Sequence, residues 1–237
     1  PDTDGGANGN GSVSYTFTAA DNGQVVLNYI NGVAGTVNFN AQDASSGYIT
    51  DTDSPGLYDP NLNLVACKIV IDIADPGNQS DVCSLAQITF TVADPSGTGL
   101  AGFTGVLNIS NTPAAGNWSG SGVVNGTAND GIATYTFDGS ETGGAITLGF
   151  SQTTASAAVN FNASVTASNG IVVTDSLTAG EDPDLEIVNC TAIVSLDENF
   201  TNVCSQAVPV TVTVRNKDGG VPDGTIGTIL LTADYPG

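Results

Sequence analysis

The sequence contains no histidine and no methionine, and only three cationic residues, Lys68, Arg215 and Lys217, against 24 acids. Without histidine there is no Ser-His or Cys-His pair to activate a nucleophile. A net charge of −21 repels phosphate backbones and anionic lipid surfaces, which excludes nucleic acid as a partner. No apolar run approaches the ~20 residues of a membrane-spanning helix. No glycine pattern of the phosphate- or dinucleotide-binding kind follows a strand and opens a helix. Paired carboxylates such as Asp51/Asp53 and Glu181/Asp182 lie in turn-rich stretches, where aspartate is ordinary turn chemistry. The expectation is therefore a protein that is not an enzyme. With no methionine and Pro1 as the first residue, the chain reads as a processed product or as a window from something longer. Any export signal is then removed or outside it.

What is present points to a packed β protein. Hydrophobic residues make up 40% of the 237, enough for a core and too many for general disorder. Twenty of the 24 acids are aspartate, and aspartate favours turns and caps where glutamate favours helices.

An internal repeat organises the chain. The segment Gly11-Ser-Val-Ser-Tyr-Thr-Phe17 recurs as Gly131-Ile-Ala-Thr-Tyr-Thr-Phe137, and Thr36-Val-Asn-Phe-Asn-Ala41 as Ala158-Val-Asn-Phe-Asn-Ala163. Asp59-Pro-Asn-Leu-Asn-Leu-Val-Ala-Cys67 recurs as Asp182-Pro-Asp-Leu-Glu-Ile-Val-Asn-Cys190, and Asp81-Val-Cys-Ser84 as Asn202-Val-Cys-Ser205. The four offsets are 120, 122, 123 and 121 residues, in the same order along the chain. Residues 67–189 then form one whole repeat with its connector. Residues 1–66 are the later part of a preceding repeat plus connector, and 190–237 the earlier part of a following one.

Within the whole repeat, apolar residues alternate and no helical period is convincing. Strands are predicted around Ile69–Ile73, Ile88–Val92, Phe103–Ile109, Trp118–Val124 (a weaker, edge-like run), Tyr135–Phe137, Ile146–Phe150 and Val159–Ala163. Turn signals separate them, among them Asp94-Pro-Ser-Gly97 and Asn129-Asp-Gly131. Seven short strands with one apolar face predict a two-sheet sandwich of immunoglobulin-like type, repeated in tandem. The polar, acidic stretches 51–66 and 174–189 read as connectors. Trp118 reads as core or edge packing.

Each repeat carries one cysteine pair, Cys67 with Cys83 and Cys190 with Cys204, spaced 16 and 14 residues apart. Four cysteines allow three pairings. The within-repeat pairing treats equivalent units equivalently, and is expected to staple the first hairpin with about 3 kcal/mol of loop-closure stabilisation. Zinc is disfavoured without histidine or a Cys-x-x-Cys. Disulfides imply an oxidising, extracellular compartment.

Two further groups are candidate sites. Asp51, Asp53 and Asp59 in one connector, and Asp175, Glu181, Asp182 and Asp184 in the matching one, offer hard oxygen ligands for Ca²⁺ at a junction. The simpler reading of the same residues is solvated acidic turns, and the strict Asp-x-Asp-x-Asp-Gly loop is missing. Asn-x-Ser/Thr acceptor sites occur at Asn10, Asn78, Asn108, Asn117, Asn125, Asn162, Asn189 and Asn199, which would suit a surface glycoprotein.

The segment Asn129-Asp-Gly-Ile-Ala-Thr-Tyr-Thr-Phe137, with Gly144, Ile146 and the strand Val159 to Val165, resembles bacterial Ig-like repeats. Such repeats occur in invasin- and intimin-like adhesins and in pilus-associated surface proteins. The resemblance covers about 40 residues of each repeat and implies fold more than function. It implies an extracellular rod, stalk or filament subunit that meets copies of itself head to tail, or alternatively an adhesin whose loops bind a receptor or glycan. The half-repeats at the ends fit either a window from a long array or strand complementation between neighbouring subunits.

Overall fold

The computed structural model describes residues 3–4, 13–29, 31, 33–41, 61–178, 180–197, 208–222 and 228–233. Among them there is no α-helix, only strands and short 3-10 turns. The chain divides into two compact units, Pro1–Ala66 and Cys67–Gly237.

In the first unit, β1 (Thr3–Asp4) pairs antiparallel with β2 (Val13–Ser14), and β3 (Gly35–Val37) with β4 (Leu62–Leu64). A 3-10 turn, Ala19–Asp21, is closed by the Asp21 carboxylate, which accepts from the Thr18 amide at 2.6 Å and the Tyr15 hydroxyl at 3.0 Å. Of residues 13–29, 31, 33–41 and 61–66, none is buried.

The second unit holds two facing sheets. One runs β5 (Lys68–Ile73), β7 (Ala86–Ala93), β12 (Ala145–Ser151), β9 (Asn117–Ser119) in spatial order, all antiparallel. The other runs β10 (Val124–Asn125), β11 (Ala133–Asp138), β8 (Thr104–Thr112), β13 (Ser156–Ala167), β15 (Leu185–Val188), β6 (Gln79–Asp81), with β14 (Val172–Thr174) also on β13. β6 and β15 make the one parallel pair among these strands. A hairpin of β16 (Thr191–Leu196) and β17 (Val210–Arg215) forms a separate two-stranded sheet.

Alternation drives this arrangement, since successive strand side chains point to opposite faces. Ile69, Ile71, Ile73, Ile88, Phe90, Val92, Leu148 and Phe150 turn inward from the first sheet. Leu107, Ile109, Phe137, Val159, Phe161, Val165, Leu185 and Ile187 meet them from the second. Trp118 sits buried among Phe90, Phe150 and Phe161, with ring centroids 5.6, 4.9 and 5.3 Å away. Its indole N–H donates to the Gly131 carbonyl at 2.9 Å, which satisfies the one polar atom the ring brings into the core. The Asn129-Asp-Gly131 turn makes that possible. Gly131 has φ +72°, and a side chain there would strike the Asn111 amide oxygen, so only glycine fits.

Two expectations are corrected. The run Trp118–Val124 is not one strand: β9 joins one sheet and β10 the other. Gly120 and Gly122, both at positive φ, break the run between them, and the Asn125 amide bridges the gap by bonding the Trp118 backbone N and O at 2.9 and 2.7 Å. The stretch 174–189 is not merely a connector, because it contains β15, whose Leu185 and Ile187 complete the core. Two apolar residues among acids are too few to register as a period. Residues 51–60 of the matching stretch lie outside the described residues.

Phe90→Ala should cost about 3–5 kcal/mol by loss of core packing, whereas Val106→Ala, on an outward face of β8, should change stability by less than about 0.5 kcal/mol. Denaturant unfolding of both variants checks this.

Candidate functional site

The most organised polar feature is a clasp at the edge where β6 meets β15. The parallel ladder pairs Gln79 with Glu186, Ser80 with Ile187 and Asp81 with Val188, and the Val82 amide then donates to the Val188 carbonyl at 3.0 Å. Continued by two residues, that register sets Cys83 opposite Cys190. The two form a disulfide with Cα atoms 6.1 Å apart and a sequence separation of 107.

The expected pairing of Cys67 with Cys83, and by analogy Cys190 with Cys204, is thereby corrected. Cys83 is bonded to Cys190, Cys67 is a free exposed thiol, and Cys204 lies outside the described residues. The reason is geometric. After β5 the chain crosses to the edge of the opposite sheet before returning as β7, so Cys83 belongs to β6 and its neighbour β15 rather than to the start of β5.

Asp81 organises the clasp from beneath. It is buried, yet one carboxylate oxygen accepts from the Cys83 amide at 2.9 Å and the other from the Lys217 amide at 2.9 Å. Two charge-assisted bonds satisfy a carboxylate that burial would otherwise penalise. Through Lys217 the carboxylate also holds the turn that follows β17. Asp81, Cys83 and Cys190 form the one group among the described residues whose potential metal-binding atoms lie within 4.8 Å of one another. Both sulfurs are committed to the disulfide, and thiolate is the form a metal requires.

Among the described residues, Asp175, Glu181, Asp182 and Asp184 do not place three potential ligand atoms within 4.8 Å of one another. Asp51, Asp53 and Asp59 lie outside the described residues. Glu181 is engaged elsewhere: it pairs with the Lys68 ammonium and accepts from the Ser176 hydroxyl at 2.5 Å. The bond from Lys68, then that from Ser176, hold the Glu181 carboxyl below its ordinary value. Asp182 is displaced the other way, first by burial and then by the charges of Asp175 and Asp184, with an Asn160 bond opposing. Asp184 accepts from the Asn160 amide at 3.1 Å.

Of the glycan acceptors, Asn10 and Asn199 lie outside the described residues. Asn108, Asn117, Asn162 and Asn189 are exposed, and Asn78 is half-buried in a turn at φ +53°. Asn125, though exposed, uses its amide nitrogen to hold Trp118, and a glycan on that nitrogen would break the bridge. The clasp had one sequence signal, the repeated Val-Cys-Ser. Asp81 had none, since its counterpart is Asn202.

In dilute solution Cys190→Ser should cost about 2–5 kcal/mol, as expected for opening a long native loop. Cys67→Ser should leave stability within about 0.5 kcal/mol of the parent. The opposite ranking would restore the hairpin pairing. The two carboxyls give opposite pH signatures in thermal melts. Glu181 is depressed in the fold, so its contribution is present above about pH 4.3 and is lost as pH falls through the folded value. Glu181→Gln should therefore lower the midpoint at pH 7 and flatten the acid loss. Asp182 is raised in the fold, so Asp182→Asn should raise the midpoint at pH 7. That gain should vanish below about pH 3.9, where both forms are neutral.

No protein-family model and no curated protein matches the chain. Among solved structures, it is similar to the crystal structure of a DUF4466 family protein from Parabacteroides merdae, at 15% identity and a TM-score of 0.32. The match covers 55% of this chain and about half, 49%, of that one.

Proposed function

We propose that this chain is a segment or subunit of an extracellular linear filament or stalk, built from tandem Ig-like repeats. The observation that carries the reading is the recurrence of strand registers at the sequence period. β5 pairs β7 from Lys68↔Ala93 to Ile73↔Ile88, and β16 pairs β17 from Thr191↔Arg215 to Leu196↔Val210, 122 to 123 residues later. β10 and β11 pair as Val124↔Thr134 and Asn125↔Ala133, and β1 and β2 as Thr3↔Ser14 and Asp4↔Val13, 120 to 121 residues earlier. Val159↔Leu185 has its counterpart in Val37↔Leu62. Side chains follow suit. The Tyr135 hydroxyl donates to Glu141 at 2.8 Å while its ring meets Phe137 edge to face with centroids 5.3 Å apart, as the Tyr15 hydroxyl donates to Asp21 at 3.0 Å and its ring meets Phe17 edge to face at 5.3 Å.

The strand order supports an Ig-like sandwich. β5–β7–β12–β9 corresponds to the A-B-E-D sheet and β8–β13–β15 to C-F-G, with β11 beside β8. Polymerisation is supported by what the half-repeats leave open. Phe137 is 1% exposed and its counterpart Phe17 55%; Phe161 is 0% and Phe39 45%; Ile71 is 1% and Val194 52%. The described strands of the first unit, counterparts of later strands, leave apolar side chains exposed, and the β16–β17 pair does the same with counterparts of earlier ones. Complementary halves cover each other, and a head-to-tail contact of that kind does not close on itself. The disulfide and the strongly acidic composition fit an oxidising exterior. No helix among the described residues is long and apolar enough to cross a membrane.

Light scattering and electron microscopy of the purified chain should reveal concentration-dependent, beaded linear oligomers. Compact monomers at every concentration would overturn the proposal.

A further inference from the structure

We infer that the outward face of β11, β8, β13 and β14 is a lateral interface, on which a second copy of this chain packs sheet against sheet. The inference concerns a surface other than the open half-repeats and does not rest on the filament reading.

The strand registers lay this face out in cross-strand rows. One row runs Val124, Thr134, Asn108, Ser164, Thr174. To one side of it runs a second row, Thr136, Val106, Thr166, Val172. To the other side Ser110 stands opposite Asn162, and Thr112 opposite Asn160. Burial alternates as an outward face requires. Leu107, Ile109, Phe161 and Val165 point into the core, whereas Val106, Asn108, Ser110, Asn162 and Thr166 are exposed.

None of these row positions carries a charge, in a chain with 24 acids. Acids mark only the ends of the field. Asp138 stands opposite Thr104 at one end, and Asp184 accepts from the Asn160 amide at 3.1 Å at the other. The outward face of the opposing sheet, by contrast, carries both Lys68 and Asp72 on β5. The neutral field is also where exposed apolar side chains gather. Of the five large ones exposed between residues 67 and 178, Val106, Val124 and Val172 stand in its rows. The repeat preserves this character. Thr16, Asn38 and Asn40, the counterparts of Thr136, Asn160 and Asn162, are likewise uncharged and exposed.

Charge selects the occupant. Two molecules of net charge −21 repel each other on most approaches. On this face they meet without setting acid against acid. The valines offer apolar area, and the amides and hydroxyls can bond across the joint. A cationic partner finds no carboxylate in the rows, and a sugar finds no aromatic ring to stack on. Four strands about 4.8 Å apart and nine residues at about 3.4 Å each span a face of roughly 500 Å². Two such faces bury roughly 1,000 Å², the lower bound for a specific interface. One contact of this size is weak, and contacts repeated along an array reinforce one another.

Small-angle scattering of the whole chain over a concentration series separates this joint from head-to-tail growth. The salt is set at about 0.15 M, where like charges more than about 8 Å apart are largely screened. Lateral pairing should roughly double the particle thickness, because four sheets about 10 Å apart replace two. Asn108→Asp, a near-isosteric change in the middle of the face, should abolish the thickening, and Thr166→Asp should do the same. Gln87→Glu, which adds the same charge on the outward side of β7, should leave it unchanged. Mixing Asn108→Asp with Asn108→Lys should restore it, since the two copies then carry opposite charges. Lengthening without thickening would overturn the lateral interface and leave the filament reading intact. Thickening without lengthening would do the reverse. Equal loss of thickening in Gln87→Glu would mean general charge repulsion and would overturn the inference. So would retention of the parent chain on a neutral polysaccharide such as dextran, lost in Asn108→Asp, with no thickening, because the face would then belong to a glycan.

Discussion

An apolar sheet face must be covered, and the organisation of this chain follows from that constraint. Each strand of the complete unit is greasy on one side only, so a single sheet would leave Ile69, Phe90, Leu148 and their neighbours in water. Two sheets placed face to face remove them, at about 25 cal/mol for each Å² of apolar surface buried. The same constraint makes the other parts of the chain conspicuous. Among the described residues, the β16–β17 pair and the first unit leave apolar side chains such as Val194, Leu196, Phe17 and Phe39 exposed. Those exposed side chains are the physical ground on which a linear assembly is proposed.

The clasp illustrates how backbone pairing governs covalent chemistry. A disulfide forms only where two Cα atoms approach within about 4.4–6.8 Å. The parallel register of β6 and β15 provides that approach, and Asp81 secures it by accepting amides from the clasp itself and from the turn after β17. The bridge ties the segment after β6, an early strand of the sandwich, to the segment after β15, its last strand. It therefore resists opening of the whole unit rather than of one hairpin.

Much of the fold was legible in particular residues. The alternation Ile69, Ile71, Ile73 and the Val159-to-Val165 run identify inward faces, and both strands lie where the pattern puts them. Asn129-Asp-Gly131 marks a turn, and the turn is there, with the left-handed backbone that glycine permits. Trp118 is core, as a large aromatic at an inward position should be. What was not legible is instructive. β6 has no apolar period, because Ser80 and Asp81 are polar and buried. β15 has only Leu185 and Ile187 to declare it. The glycines between Trp118 and Val124 conceal a change of sheet within seven residues.

By itself the sequence determined the all-β class and the recurrence of four segments at offsets of 120 to 123 residues, because these depend on residue type and local period alone. Only the tertiary structure decided which cysteines meet, which acids are engaged and which apolar faces remain open. Those outcomes depend on pairing between segments far apart in the chain: Cys83 and Cys190 are 107 residues apart, and Lys68 meets Glu181 across 113. No local pattern encodes which edge strand a polar segment such as β6 will join.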